Sequence, residues 1–348
     1  MNIRELLRKN IKNFKAYSSA RDEYSGKEGI FIDANENSLG SASNTVFNRY
    51  PDPHQRDLKQ RIAEIKEVKA DQVFLGNGSD EIIDLLYRAF CEPARDKVIL
   101  MSPTYGMYSV CANLNDVPVL DVPLTADFQI DIENVKKELP SAKLIFICSP
   151  NNPSTNLMNE HDVQTILKTF NGLVVIDEAY QDFAGNESWV NRLASYKNLV
   201  VMQTFSKAWG MAGLRVGMAF ADPEIISVLS AIKYPYNISE LVQNTVLKAL
   251  EYNSAKNKMA EEILKQREWL LRELRQLAII KKIFPTDANF VLIRVDDAGY
   301  MYNQLIKHKI IVRDRSSLPG CEGCLRITVG NAAENRILIE TLKKLKTK

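Results

Sequence analysis

The chain has 348 residues, 45 of them Lys or Arg and 43 Asp or Glu, for a formal net charge of +2. With 45% apolar and 25% charged residues it has the composition of an ordinary globular protein, long enough for two lobes. That balance gives no electrostatic case for nucleic-acid or membrane partners. No apolar run approaches the ~18–20 residues that span a bilayer, and the charged N-terminus MNIRELLRKNIKNFKAY has no signal-peptide core, which places the protein in the cytoplasm.

From about residue 70 onward, short β-rich runs alternate with helical patterns. The predicted strands are QVFLG (72–76), KVILM (97–101), PVLDV (118–122), KLIFICS (143–149), LVVID (173–177), NLVVMQT (198–204) and GMAFA (217–221). Several contain a continuous apolar run (VILM, LIFIC, LVVI, LVVM), as strands covered on both faces do. SDEIIDLLYRAF (79–90) reads as one of the helices between them. The alternation predicts an α/β domain with a mostly parallel seven-stranded sheet flanked by helices. Residues 238–277 look mainly helical, and AEEILKQREWLLRELRQL (260–277) has the 3.6 period of a helix able to bridge two lobes. FVLIRV (290–295), IIVRD (310–314), CLRITVG (324–330) and an amphipathic helix from about 332 predict a smaller α+β C-terminal domain. The division is an N-terminal segment (1–30), a large domain (31–240) and a small domain (241–348).

The five cysteines (Cys91, Cys111, Cys148, Cys321 and Cys324) are too scattered for a disulfide framework. The CEGC at 321–324 lacks a second ligand pair for zinc, so no metal is expected and reduced thiols are the default. His54, His161 and His308 form no triad or metal pattern.

Ligands of open α/β sheets bind at the carboxyl ends of strands. Here those ends carry distinct polar groups. QVFLG runs into Gly78, Ser79 and Asp80 at a capped helix start; KLIFICS runs into Asn151 and Asn152; LVVID ends at Asp177 and leads to Tyr180; NLVVMQT ends at Thr204 and leads to Ser206 and Lys207. Singly, each has an ordinary structural explanation: a cap, a turn residue, a strand end, a surface charge. Together they match the needs of pyridoxal 5'-phosphate. Lys207 supplies the amine for a Schiff base, and Asp177 a carboxylate to keep the ring nitrogen protonated. Asn152 and Tyr180 are donors for the phenolic oxygen. The Gly78–Ser79–Asp80 turn, Thr204, Ser206 and Arg215 suit its phosphate, and Tyr105 of SPTYGMY can stack on the ring. In CLRITVG, Leu325, Ile327 and Val329 share one strand face, leaving Arg326 on the other, where it can either meet a carboxylate or face water at a sheet edge.

These stretches resemble the fold-type I pyridoxal-phosphate-dependent aminotransferases over nearly the whole chain. SPNNP (149–153), DEAY (177–180) and SKAWGMAGLR (206–215) are shared across that family. RYPDP (49–53), RAFCEP (88–93) with SPTYGMY (102–108), and GCLRITVG (323–330) are similar to its histidinol-phosphate branch. The resemblance implies the cofactor roles above and adds three more. Tyr50 sits where the family reaches across a homodimer to the neighbouring cofactor phosphate. Arg326 matches the arginine that grips the substrate α-carboxylate. Tyr17 of AYSSAR and Asn35 of DANEN lie in the segment that closes over the substrate. The implied reaction is reversible amino transfer between L-histidinol phosphate and 2-oxoglutarate, in histidine biosynthesis. An aromatic aminotransferase and an amino-acid-phosphate decarboxylase of the same fold are the alternatives. Regulators that use this fold carry an N-terminal DNA-binding domain, and the residues before DANEN show no basic helix-turn-helix. Two departures stand out: Ser154-Thr155 where the family has Thr-Gly, and Ser38-Leu39-Gly40 where it more often has a proline and an aromatic residue.

Overall fold

The computed structural model describes residues 2–18, 28–43 and 45–345; the end of the AYSSAR motif, 19–21, lies outside them. Seven strands form the large sheet: β1 (Val73–Asn77), β2 (Val98–Leu100), β3 (Val119–Asp121), β4 (Leu144–Cys148), β5 (Leu173–Asp177), β6 (Leu199–Thr204) and β7 (Val216–Ala221). Their spatial order is β1-β7-β6-β5-β4-β2-β3. From β3 to β6 every pairing is parallel, and β7 alone runs against its neighbours β6 and β1.

The continuous apolar runs are explained by burial on both faces. Successive side chains of a strand point to opposite sides. Ile145, Ile147, Val174, Ile176 and Val201 therefore enter one core, with Leu58 and Ile62 of helix 56–66 and Val163 and Ile166 of helix 160–169. Phe146, Val175, Val200 and Met202 enter the other, with Ile82 and Leu86 of helix 78–90, Tyr108, and Ile225 and Leu229 of helix 223–232.

The small lobe holds β8 (Ile280–Ile283), β9 (Phe290–Val295), β10 (Arg313–Asp314) and β11 (Cys324–Thr328), antiparallel in the order β10-β11-β9-β8. Two details differ from expectation. IIVRD contributes only Arg313 and Asp314 to the ladder, and Ile311 points to solvent. β8, reading IKKI, is an edge strand whose lysines hide its pattern, a common way of protecting an edge.

A 22-residue helix, Asn253–Leu274, joins the lobes; at 1.5 Å per residue it spans ~33 Å. Its Ala260, Ile263 and Leu264 pack with Tyr180, Phe183 and Ala208 of the large lobe and Ala288 and Phe290 of the small one. Its Leu270, Leu271 and Leu274 belong to the small lobe's core. Upstream, Val246 and Leu250 pack in the large sheet's core. We therefore propose that the small domain begins at Asn253 and not at 241.

The Ser154-Thr155 departure acquires a role in this joint. Thr155 has φ +75°, a conformation strained for a β-branched residue. It is held there by long-range bonds: its hydroxyl donates to Pro285 O at 2.6 Å and its carbonyl accepts from Asp287 N at 2.9 Å. Leu157 N donates to Asp287 Oδ2 at 2.9 Å. The loop after β4 is thus tied to the small lobe.

Candidate active site

The ends of β1, β4, β5 and β6 surround a cavity of about 160 Å³. Ser79, Asp80, Tyr105, Asn152, Asp177, Tyr180, Thr204, Ser206, Lys207 and Arg215 all line it, together with Cys148, Ala179 and Ala212.

One corner is built for an anion. Helix 78–90 starts there without a side-chain cap, so Ser79 and Asp80 sit in its first turn and do not cap it, contrary to the expectation. Glu81 instead reaches back to Asn77 N, and Asn237 Nδ2 donates to the same Glu81 oxygen at 2.9 Å. A helix start with free N–H groups attracts negative charge, worth ~0.3–2 kcal/mol. Arg215 stands beside it. Its Nη2 lies 3.3 Å from Asp80 Oδ2, and both side chains are well exposed. Such a pair contributes little, so Arg215 is available to an incoming anion. Thr204 is occupied otherwise: its hydroxyl accepts from Ser206 N at 3.0 Å and donates to Val216 O at 3.3 Å, shaping the loop that carries Lys207.

Two glycines make the corner possible. Gly78 has φ +74°, and a Cβ there would fall 2.6 Å from Arg215 Nη2. A Cβ on Gly217 would meet Ser79 N at 2.5 Å, because β7 lies directly against the helix start. Gly217→Ala should push that start away, at the ~1–3 kcal/mol typical of overpacking. The expected result is at least about tenfold weaker retention of pyridoxal phosphate, measured by equilibrium dialysis.

The centre of the cavity is electrostatic. Asp177 is buried. Burial raises its pKa; the Tyr108 hydroxyl, Ala179 N–H and Lys207 oppose that. Tyr108 donates to Asp177 Oδ2 at 2.6 Å and Ala179 N to Oδ1 at 3.1 Å. Lys207 follows β6, its Nζ 5.5 Å from the Tyr180 ring centre. Its side chain lines the cavity and is exposed to solvent. Desolvation by the surrounding protein, and next the charge of Arg326, lower its pKa. Asn152 Nδ2 lies 3.5 Å from Tyr180 Oη, and its Oδ1 accepts from Arg326 Nη1 at 2.5 Å. Arg326 also packs on Phe290, 5.3 Å from the ring centre, while Leu325 and Ile327 on the opposite face are buried.

Beside Arg326 stand Arg313, its cross-strand partner, and Arg315. Burial and the charges of Arg315 and Arg313 lower the pKa of Arg326. Among the described residues none of the three guanidiniums has an ion-pair partner, and the buried Arg315 Nε has no hydrogen-bond partner.

Tyr50, Asn35 and Tyr17 lie elsewhere. Tyr50 stacks on Tyr236 with ring centres 4.4 Å apart, and with Asn35 lines a separate cavity of about 600 Å³. Tyr17 is largely exposed, near Pro53 and Lys233. The sequence reading passed over Tyr108, Gly217, Arg313 and Arg315. Of these Tyr108 lies nearest in sequence to an expected residue: it stands in the first turn of helix 107–114, and its ring meets that of Tyr105 edge-on.

The family model Aminotransferase class I and II matches residues 22–342. Over 339 residues the chain is 54% identical to a histidinol-phosphate aminotransferase from Cytophaga hutchinsonii, covering 97% of each chain. The chain belongs to the histidinol-phosphate aminotransferase family, within the class I and II aminotransferases. A second member, from Flavobacterium psychrophilum, is 49% identical, covering 99% of each chain. The crystal structure of the Clostridium acetobutylicum histidinol-phosphate aminotransferase superposes with a TM-score of 0.79 at 27% identity, covering 85% of this chain and 90% of that one.

In this member of the family the donor set fits pyridoxal phosphate: an uncapped helix start with Arg215 for a phosphate, a buried carboxylate for a ring nitrogen, and an amine of lowered pKa. No cluster of three His, Cys, Asp or Glu among the described residues is placed to hold a metal ion, and no described helix is long and apolar enough to cross a membrane. Cys321 and Cys324 are buried free thiols. Burial pushes the Cys321 thiol up to about 12, which makes it a poor nucleophile.

Proposed function

We propose that this aminotransferase moves the amino group of L-histidinol phosphate to 2-oxoglutarate, giving imidazole-acetol phosphate and L-glutamate in histidine biosynthesis. The observation that carries this reading is 54% identity over 97% of both chains to a named histidinol-phosphate aminotransferase. When bound, pyridoxal 5'-phosphate supplies an aldehyde that condenses with amines and a protonated ring that takes up electrons. Lys207 Nζ would hold that aldehyde, and as a free amine it would take the proton from the substrate carbon bearing nitrogen and return one as acid. Asp177 would hold the ring-nitrogen proton. Asn152 and Tyr180 would hold the phenolic oxygen, Tyr105 the ring, and Ser79, Asp80, Ser206 and Arg215 the phosphate, with Thr204 shaping the loop beside it.

Arg326 takes the carboxylate of 2-oxoglutarate, and the unpaired Arg313 and Arg315 beside it suit the phosphate tail of the amino donor. Two amino-group partners sharing one site give ping-pong kinetics. A homodimer fits the surface of residues 30–50, where Ile30, Ile32, Leu39, Val46 and Phe47 are exposed. In that dimer Tyr50 serves the neighbouring cofactor, and Tyr17 and Asn35 help cover the substrate.

The test is a substrate panel with 2-oxoglutarate. Histidinol phosphate should turn over well, and histidinol and phenylalanine poorly; fast phenylalanine turnover with none of histidinol phosphate would overturn the assignment. Arg315→Gln should raise KM for histidinol phosphate about tenfold, the worth of one charged hydrogen bond. It should leave KM for 2-oxoglutarate nearly unchanged.

A further inference from the structure

We propose that Tyr108 is a positioning residue: by donating to Asp177 Oδ2 its hydroxyl fixes the carboxylate and reserves its negative charge for the cofactor's ring nitrogen. This rests on the pyridoxal-phosphate reading of the cavity. Tyr108 is fully buried. Its ring stacks on Phe146 of β4, centres 4.8 Å apart and planes 18° from parallel, and meets Tyr105 edge-on at 5.5 Å. Its backbone carbonyl accepts from Tyr87 Oη at 3.0 Å. Phe146, Tyr105 and Tyr87 thus fix the ring and its backbone, so the hydroxyl has little freedom. The 2.6 Å bond to Asp177 is the short contact expected of a hydroxyl on a charged carboxylate.

The carboxylate needs that donor. Desolvation favours its neutral form, and a neutral Asp177 could not hold a proton on the ring. Of the effects that resist neutralisation the Tyr108 bond is the largest, ahead of Ala179 N–H and Lys207. The other groups bearing on Asp177 and Tyr108 are Asp80, which adds to the neutralising effect, and Cys148. With Tyr108 on Oδ2 and Ala179 on Oδ1, the carboxylate is oriented from both sides, and its remaining lone pairs serve the cavity it lines.

An ordinary core tyrosine that merely satisfies its hydroxyl would affect stability alone. Tyr108→Phe, which keeps the ring packing, separates the two roles. In the holoenzyme reconstituted with pyridoxal phosphate labelled with ¹⁵N in the ring, the nitrogen shift should move toward the unprotonated value. In the same variant kcat should fall about 10- to 100-fold, the worth of one hydrogen bond to a charged group, with KM for 2-oxoglutarate little changed. In the apoprotein, ¹³C-labelled Asp177 should titrate at higher pH than in the wild type. A fluorinated tyrosine at 108, a stronger donor of nearly the same shape, should move the ¹⁵N shift and the Asp177 titration the opposite way, and it serves if the phenylalanine variant does not fold. An unchanged ring-nitrogen shift and an unchanged Asp177 titration would overturn the proposal. Failure of the wild type to bind pyridoxal phosphate, with the Asp177 titration still moved, would sink the cofactor reading and leave the Tyr108–Asp177 coupling standing.

Discussion

Lys207→Ala is expected to abolish amino transfer and the absorbance of lysine-bound cofactor, while the protein still folds. Among the described residues Lys207 alone places an amine in the cavity formed by Asp177, Tyr180 and Arg215. Losing a positioned general base costs about 10²–10⁴-fold, and loss of the covalent attachment point adds to that, so kcat/KM should drop by at least about 10⁴. The fold should not suffer, because the native state pays to keep this ammonium near Arg326 and partly desolvated. The sign is fixed by the lowered pKa. Below the folded-state value both folded and unfolded chains carry the charge, and the full cost applies. Between that value and the unfolded 10.5 the unfolded chain binds more protons, so the cost fades as pH rises. In the apoproteins, Lys207→Ala should therefore match or exceed wild-type stability at neutral pH, with the advantage shrinking toward pH 10.5. Urea denaturation across that range measures it. Retained turnover, or a large loss of stability at neutral pH, would contradict this role for Lys207.

What could be read from the chain in advance follows from the range of the interactions involved. Six of the seven large-sheet strands were legible because each is apolar along most of its length, a local signature of burial on both faces; the edge strand β3 is only partly buried and shows in the shorter apolar run PVLDV. The short β10 and the lysine-bearing β8 lack that signature. The cavity was legible because β1, β4, β5 and β6 each end on or run directly into polar groups, and the fold rule converts strand ends into one rim. Contacts that tune the site were hidden by distance along the chain. Tyr108 meets Asp177 across 69 residues, Asn237 meets Glu81 across 156, and Arg326 meets Asn152 across 174. No local pattern predicts such pairs. Gly217 looked like a strand residue, and its reason for being glycine is the backbone of Ser79, which only the folded sheet brings to it.

Asp177→Asn should separate stability from activity in opposite directions. Asparagine keeps the shape of the buried side chain and can retain its bonds. Its oxygen can accept from Ala179 N, and its amide can donate to the Tyr108 hydroxyl, which can turn toward Cys148. The burial cost of a carboxylate disappears, so the apoprotein should gain about 1 kcal/mol or more near neutral pH. The pH dependence is again set by sign. Folded Asp177 titrates above 3.8, so it binds its proton more tightly in the folded chain. The stability it costs is absent below the unfolded value, grows as pH rises through the folded value, and is constant above it. The advantage of Asp177→Asn over wild type should follow that curve in urea titrations. Activity moves the other way. An amide cannot balance a protonated ring nitrogen, and two unit charges ~4 Å apart at an effective dielectric near 20 are worth about 4 kcal/mol. At 1.36 kcal/mol per decade, kcat should fall about 10³-fold. A variant that loses stability and activity together would mean that Asp177 serves the core; one that gains stability and loses turnover would mean that the folded chain bears the cost of a buried charge for the sake of the cofactor.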